Sequence, residues 1–347
     1  VVWTGSVVMP RTMDGCIGLS TQDSMRLYVD DKLLIDGWGK DKSADQALDF
    51  HFEAGRTYKI RIEFVNDRRG ARVIFGYSAG RENFPAAVEA ARKADVAILC
   101  MGDNEETSGE NFDRTDLNLP GRQLELVQAV YATGTPVVLV LQSGRPVTAN
   151  WENDHLPAIL EAWFPGEQGG TAIAKTLFGD AAPGGRLPIT FPRSVGQIPC
   201  HYSRRPGGGK RYVEMDWLPL YPFGYGLTYT TFAYRDMALS RSVIDPQDTV
   251  TVSVTVTNTG KYTGDAVPQL YVRDMFSSVV KPERQLAAFR RLTLAPGESR
   301  RVELTVGPKQ LRTLGPDYVW RVEPGKFELQ LGDNAENILL RADLTVE

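Results

Sequence analysis

The hydrophobic period of this chain changes twice, and that constrains its architecture more than any other feature. Residues 1–85 alternate apolar and polar side chains. "TYKIRIEFVND" places Tyr58, Ile60, Ile62 and Phe64 on one face, the period-2 pattern of a half-buried strand. "MRLYVD" and "KLLIDGW" read as two further strands around a tight turn at Asp30-Asp31-Lys32, and "ARVIFGYS" as another. Short alternating strands with acidic and glycine turns imply a β-sandwich or barrel.

From residue 86 to 220 the period lengthens. "FPAAVEAARKA" and "LPGRQLELVQAVYATG" carry apolar residues at helical spacing. In the second, Leu124, Val127 and Val130 face inward and Gly134 is a stop signal. "DVAILCM", "TPVVLVLQSG" and "AILEAWF" are apolar strand-length runs, and "EQGGTAIAKTLFGD" is a third helix. This alternation implies a parallel sheet with helices on both faces. In such sheets function sits on the loops that follow the carboxyl ends of the strands.

Residues from about 228 to 347 return to β. "TVTVSVTVTNTG", "DAVPQLYVRD", "RQLAAFRRLTLAPGESRRVELTV" and "GKFELQLGDNAENILLRADLTV" suggest an immunoglobulin-like sandwich of about seven short strands. Ahead of it, "RRPGGGKRYVEMDWLPLYPFGYGLTYTTF" is irregular and rich in glycine and aromatic residues. We read "LYPFGYGLTYTTF" as pinned by its rings onto both neighbours and "RRPGGGK" as a flexible stretch.

Bulk properties narrow the function. The formal net charge is -4, which argues against a nucleic-acid partner, since that needs a basic face. No apolar run of about 18 residues suggests a membrane-spanning helix. Cys16, Cys100 and Cys200 fit no metal or disulfide spacing, and Cys100 reads as a small buried hydrophobe. "VVWTGSVVMP" reads as a strand rather than a signal peptide, and there is no initiator methionine. The expectation is that the front of a longer protein precedes residue 1, so any export signal would lie there.

His51 falls in the alternating region and His155 in a loop ahead of a proline; both read as structural. The G-x-S-x-G at 76–80 keeps its serine, Ser78, inside the strand-like run "ARVIFGYS" rather than on a strand-to-helix turn, so an α/β-hydrolase elbow is unsupported. "RPGGGK" lacks the flanking strand and helix of a phosphate loop. Carboxylates remain. "GDNEETSGENFDRTDLNLPG", directly after "DVAILCM", offers Asp103, Glu105, Glu106, Glu110, Asp113 and Asp116, with Glu125 one turn into the next helix. Most of these would decorate a solvated loop and a helix N-terminus, where the dipole favours them. One held in a cleft could instead be a general acid. Glycoside hydrolysis needs such an acid and a second carboxylate. A loop for that chemistry needs glycine for close approach, an aromatic to face a sugar ring and an arginine to hold carboxylates. "SGENFDR" has Gly109, Phe112 and Arg114.

"SGENFDR", Ser108 to Arg114, resembles the acid/base motif of glycoside hydrolase family 3. "LNLPGRQLELVQAV", "VVLVLQSGRPV", "AILEAWFPGEQGG", "LFGDAAPGGRLPITFPRSVGQIP" and "LYPFGYGLTYTTF" are similar to further signatures of the same domain, in the same order. "STQDSMRLYVDDKLLIDGW" resembles the core of a PA14 domain, and the C-terminal sandwich resembles a fibronectin type III-like domain. The resemblance implies three parts: an N-terminally incomplete PA14-like β domain (1–85), an α/β sandwich with the acid/base loop (86–220), and a linker plus fibronectin III-like sandwich (221–347).

The resemblance also implies a retaining, exo-acting β-glycosidase, most often a β-glucosidase, that needs no metal or cofactor. Its substrate would be a β-linked oligosaccharide or aryl glucoside; β-xylosides and α-arabinofuranosides are the alternatives within the family. A non-catalytic carbohydrate-binding or scaffold module is the alternative of another class. The family's acid/base maps onto Glu110, anchored by Arg114 and Pro120, with Asn111 where the motif usually has glycine. Glu106 is the runner-up. The nucleophile aspartate would lie on an N-terminal barrel outside this chain, which alone would be catalytically incomplete. Phe112 is expected to line the aglycone site. Trp38, beside Asp36, could stack on a second sugar, although such a tryptophan is more often sandwich core. Asp113 is expected to hold Arg114 or the loop, Asp116 to support the turn into the helix, and the remaining carboxylates to sit in solvent. The rim loop around Arg204 to Arg211 is a candidate for ordering in a homodimer. The expected location is periplasmic or secreted.

Overall fold

The computed structural model describes residues 1–21, 23–39, 46–66, 72–79, 84–207 and 211–347. The chain divides into two units, Val1–Ala90 and Ala91–Glu347. The first is all-β. Strands β1 (Val2–Val8), β2 (Met13–Thr21), β3 (Ser24–Val29), β4 (Lys32–Asp36), β5 (Gln46–Phe52), β6 (Thr57–Val65) and β7 (Val73–Ala79) form two antiparallel sheets. Their orders are β1-β6-β3-β4 and β5-β2-β7. Tyr58, Ile60, Ile62 and Phe64 are buried, so the alternation in β6 does mark a core face. Tyr58 and Ile60 join Leu27, Ile17 and Phe52 in one apolar cluster. The β3–β4 turn takes left-handed angles at Asp30 (φ 49) and Asp31 (φ 61), a turn for which aspartate is suited. Asp30 locks it further by accepting the Lys59 N–H at 2.9 Å.

The second unit opens with three parallel strands. Helix α1 (Pro85–Arg92) leads into β8 (Ala97–Gly102), α2 (Gln123–Tyr131), β9 (Val137–Gln142), α3 (Asn150–His155), β10 (Ala158–Glu161) and α4 (Gly169–Leu177). The sheet order is β10-β9-β8, parallel throughout. Central β9 is the most buried, with Val137, Leu139, Val140 and Leu141 sealed from solvent. Val127 and Val130 of α2 are also fully buried, and Gly134 (φ 83) stops that segment with its N–H on Tyr131 O. Two expectations fail here. Cys100 is exposed, not buried, because β8 is an edge strand and alternate residues of its apolar run face outward. His155 is not in a loop but closes α3, its ring stacked on Trp151 at 4.3 Å.

The remainder is a β-rich sandwich. One sheet holds Phe232–Leu239, Val250–Asn258 and Ser299–Val306; the other holds Val243–Ile244, Ile338–Val346, Gly325–Gly332, Gln269–Asp274 and Gln285–Phe289. Val250, Val252, Val254 and Val256 point into the core between them. The aromatic strap before the sandwich is tied to both neighbours. On the α/β side, Leu187 N–H bonds Tyr225 O and Tyr229 OH donates to Thr176 O. On the sandwich side, Ala335 N–H reaches Phe223 O, and buried Gln269 donates to Gly224 O. The flexible reading of "RRPGGGK" falls partly on residues 208–210, which lie outside the described residues.

Candidate active site

The loop Gly102–Gly121 leaves the carboxyl end of β8, and its root is rigid for identifiable reasons. Gly102 has φ 139, and a Cβ there would run into the Gln142 carbonyl of neighbouring β9. Only glycine allows that approach. The Gln123 side chain, at the start of α2, accepts from Gly102 N at 2.7 Å and donates to Gly102 O at 2.8 Å. The last residue of β8 and the helix after the loop are thereby fixed together.

The loop is made of small local motifs. Asn104 accepts the Glu106 N–H on its side chain, while Thr107 Oγ1 accepts the Asn104 N–H. This reciprocal cap closes a single turn that ends with Ser108 N–H on Asn104 O at 2.9 Å. A second turn follows, with Phe112 N–H on Gly109 O and Asn111 in the left-handed region at φ 66. That conformation explains why asparagine stands where the motif usually has glycine: it is the other residue that tolerates it. Glu110 occupies the exposed tip of this turn, and the half-exposed Phe112 ring lies over Gly109. Asp116 accepts the Asn118 N–H at 2.9 Å and shapes the exit.

One buried carboxylate joins these pieces. The Asp103 side chain is 0% exposed. Its Oδ1 accepts from Arg114 Nη2 at 2.7 Å and from Arg145 Nη2 at 3.1 Å. Arg145 Nε also lies 2.9 Å from Oδ2. Arg114 Nη2 donates again to Thr107 O at 2.7 Å. Arg145 reaches across to Leu117 O at 2.8 Å and Asn118 O at 3.0 Å. Arg145 sits in the loop after β9, so two successive strand-end loops share one ionic centre.

Of the sequence-predicted residues, Glu110, Phe112, Asp113 and Arg114 fall on one short stretch, with exposed Glu106 on the preceding turn. Two expectations need correction. Arg114 is held by Asp103, not by exposed Asp113. Asp103 itself was expected in solvent and is buried, because residues of the next strand-end loop close over it. Trp38 belongs to the first unit and is not core: the residue is 38% exposed, with the Arg26 guanidinium 4.8 Å from its ring centre. Asp36 accepts from Arg26 Nε and from Trp38 N–H.

Sequence reading missed two residues at this edge of the sheet. Arg145 stands in "LQSGRPV", where an arginine just past a buried strand was the available signal. Glu161 ends β10 inside "AILEAWF". It accepts the Trp163 N–H at 3.0 Å, while its second oxygen is buried without a partner. Burial pushes this carboxyl up to about 7. Trp163 sits at φ 55, a left-handed conformation that the same hydrogen bond stabilises.

Comparison with known proteins fixes the family. The model of the glycosyl hydrolase family 3 C-terminal domain matches residues 14–229. The chain belongs to glycosyl hydrolase family 3. A fibronectin type III-like domain matches residues 266–335. A β-xylosidase from Formosa agariphila is 45% identical over 302 residues, covering 84% of this chain and 42% of that protein. A β-glucosidase from Rhizobium radiobacter is 34% identical across 99% of this chain and 46% of its own length. The crystal structure of a Kluyveromyces marxianus β-glucosidase in complex with glucose covers all of this chain with a TM-score of 0.73 and 28% identity, over 45% of that protein. The chain therefore spans under half the length of these relatives. Among the described residues no helix is long and apolar enough to cross a membrane.

Proposed function

We propose that this chain provides the acid/base half of a retaining, exo-acting β-glycosidase, with Glu110 as the acid/base and terminal β-linked glucose as the released sugar. The observation that carries this reading is Glu110 itself, an exposed glutamate at the tip of a loop whose root is locked to the carboxyl end of a parallel strand. In the first step Glu110 as a carboxylic acid gives its proton to the glycosidic oxygen while the bond from that oxygen to C1 breaks. A carboxylate on the opposite face of the sugar attacks C1 and forms a glycosyl-enzyme ester. In the second step Glu110, now a carboxylate, takes a proton from the water that attacks C1 and releases the sugar. The nucleophile and the glycone-gripping residues would come from a barrel domain of the same protein outside this chain, as the family resemblance implies. Phe112 rather than Trp38 is our choice for the aglycone contact, since Arg26 covers one face of the tryptophan.

Within this proposal residues 1–85 are a PA14-like module, 86–220 the acid/base domain, and 221–347 the linker and fibronectin III-like sandwich. The identity to a β-xylosidase favours a second substrate reading, the same chemistry on β-xylosides, with α-arabinofuranosides as a third arm. We place the enzyme in the periplasm or outside the cell; a Salmonella typhimurium relative, 42% identical, is named a periplasmic β-glucosidase.

The test uses the full-length enzyme on aryl glucosides, xylosides and arabinofuranosides. Glu110→Ala should lower kcat/KM on poor leaving groups by about 10²–10⁴-fold, spare dinitrophenyl glycosides, and respond to azide. An unchanged rate would return the chain to the non-catalytic binding class. The preferred glycoside decides the sugar.

A further inference from the structure

We propose that Asp103 is the positioning residue for the acid/base loop, holding the tip in register with the glycosidic oxygen through Arg114 and Arg145. This rests on the reading of Glu110 as the acid/base and goes beyond it, because Asp103 would touch no substrate.

The segment from Thr107 to Leu117 carries the whole tip, including Glu110, Asn111 and Phe112. Its two ends are tied to the same carboxylate. The near end is held by Arg114, whose Nη2 bonds both Asp103 Oδ1 and Thr107 O. The far end is held by Arg145, which bonds Asp103 while donating to Leu117 O and Asn118 O. The geometry is that of a noose with a single knot. The knot is largely buried: the Asp103 side chain is 0% exposed, and the two arginine side chains are 21% and 15% exposed.

Two guanidinium groups share one anion, so the cluster carries an excess of one positive charge. Within such a site each arginine depends on the same counter-charge, and two arginines without it repel. Asparagine at 103 keeps the volume and removes the charge. The ends of the segment would then be released together, and the turn at Gly109–Phe112 would lose its fixed distance from the strand end. General acid catalysis requires the donor within hydrogen-bond reach of the atom it protonates. A displacement of about 1 Å in such a group can cost on the order of 10²-fold in rate. The loss would fall on steps that need the proton, and spare those that do not.

The experiment compares four full-length proteins: the parent, Glu110→Gln, Asp103→Asn and Arg114→Lys. Each is assayed on a disaccharide, a poor leaving group, and on a dinitrophenyl glycoside, a good one. Melting temperature and far-UV circular dichroism are recorded alongside. Asp103→Asn is expected to lose on the order of 10²-fold on the disaccharide and less than about 5-fold on the dinitrophenyl glycoside. Arg114→Lys keeps a cation beside Asp103 but cannot also bridge Thr107 O in the same geometry, so it should show the same selectivity in milder form. It carries the test if Asp103→Asn does not fold. If Glu110→Gln itself shows no leaving-group selectivity, the acid/base assignment fails, and the positioning role with it. If Glu110→Gln is selective but the clamp variants lose activity equally on both substrates, or lose none, the positioning role alone is overturned.

Discussion

Replacing Glu161 with glutamine should make the second unit more stable at alkaline pH and leave it nearly unchanged at acid pH. The carboxyl ends β10 with one oxygen on Trp163 N–H and the other buried without a partner. Burial raises it from the usual 4.5 to about 7, so the folded state holds the proton more tightly than the unfolded chain. The penalty is absent below the unfolded value, grows as pH rises from 4.5 towards 7, and is constant above that. Its full size is about 3 kcal/mol, from 1.36 kcal/mol for each tenfold change in acidity. Glutamine keeps the acceptor for Trp163 and does not ionise. Scanning calorimetry of parent and Glu161→Gln at pH 5 and pH 8 measures the difference. The variant should gain roughly 5–10 °C at pH 8 relative to its effect at pH 5, on the usual scaling for a unit of this size. An equal shift at both pH values, or a loss at pH 8, would show that the carboxyl is solvated and refute the reasoning.

Three further outcomes follow from the same structure. Gly102→Ala should cost about 3 kcal/mol or more, since φ 139 and the Gln142 carbonyl both oppose a Cβ; chemical denaturation of the second unit checks it. At position 111, Asn111→Gly should leave activity and stability within about 0.5 kcal/mol, whereas Asn111→Val should cost about 1–2 kcal/mol and disorder the tip, because a β-branched residue resists φ 66; denaturation midpoints together with leaving-group selectivity report both effects. Gln269→Ala should cost about 2–4 kcal/mol, because it strands Gly224 O, Asp333 O and Tyr271 OH, its buried partners; amide exchange at residues 220–226 should rise more than elsewhere in the sandwich.

Periodicity made the layers legible in the sequence. Tyr58, Ile60, Ile62 and Phe64 could be assigned to a core face because a strand has only two faces and one of them is apolar. Val127 and Val130 could be placed because a helix repeats its stripe. Pattern fails where both faces of a strand are apolar: β8 reads as buried throughout, yet its place at the sheet edge leaves Ile98 and Cys100 exposed. Sheet order, a long-range fact, decides that. The candidate site shows the same limit. The tip residues Glu110 to Arg114 lie together in sequence and could be chosen from a motif. Asp103 and Arg145 are 42 residues apart, and no spacing rule joins them. Asp113 was the nearer partner for Arg114 along the chain, but the folded loop turns the arginine back towards the strand end, where burial strengthens the pairing.

The edge strand β8 has a practical use. A thiol in the middle of an unpaired ladder is a reporter on whatever comes to lie against that ladder. Among the described residues β8 pairs with β9 alone, and Cys100 faces outward beside Ile98. Any strand added on that side would cover both, and unpaired edges invite such addition. Maleimide labelling of Cys100, followed by mass spectrometry, would therefore time the closure of the sheet. Fast labelling of the 347-residue chain and protection in a longer form of the protein would reveal an edge completed by other residues. Protection that appears only at high concentration would instead reveal two chains joined edge to edge.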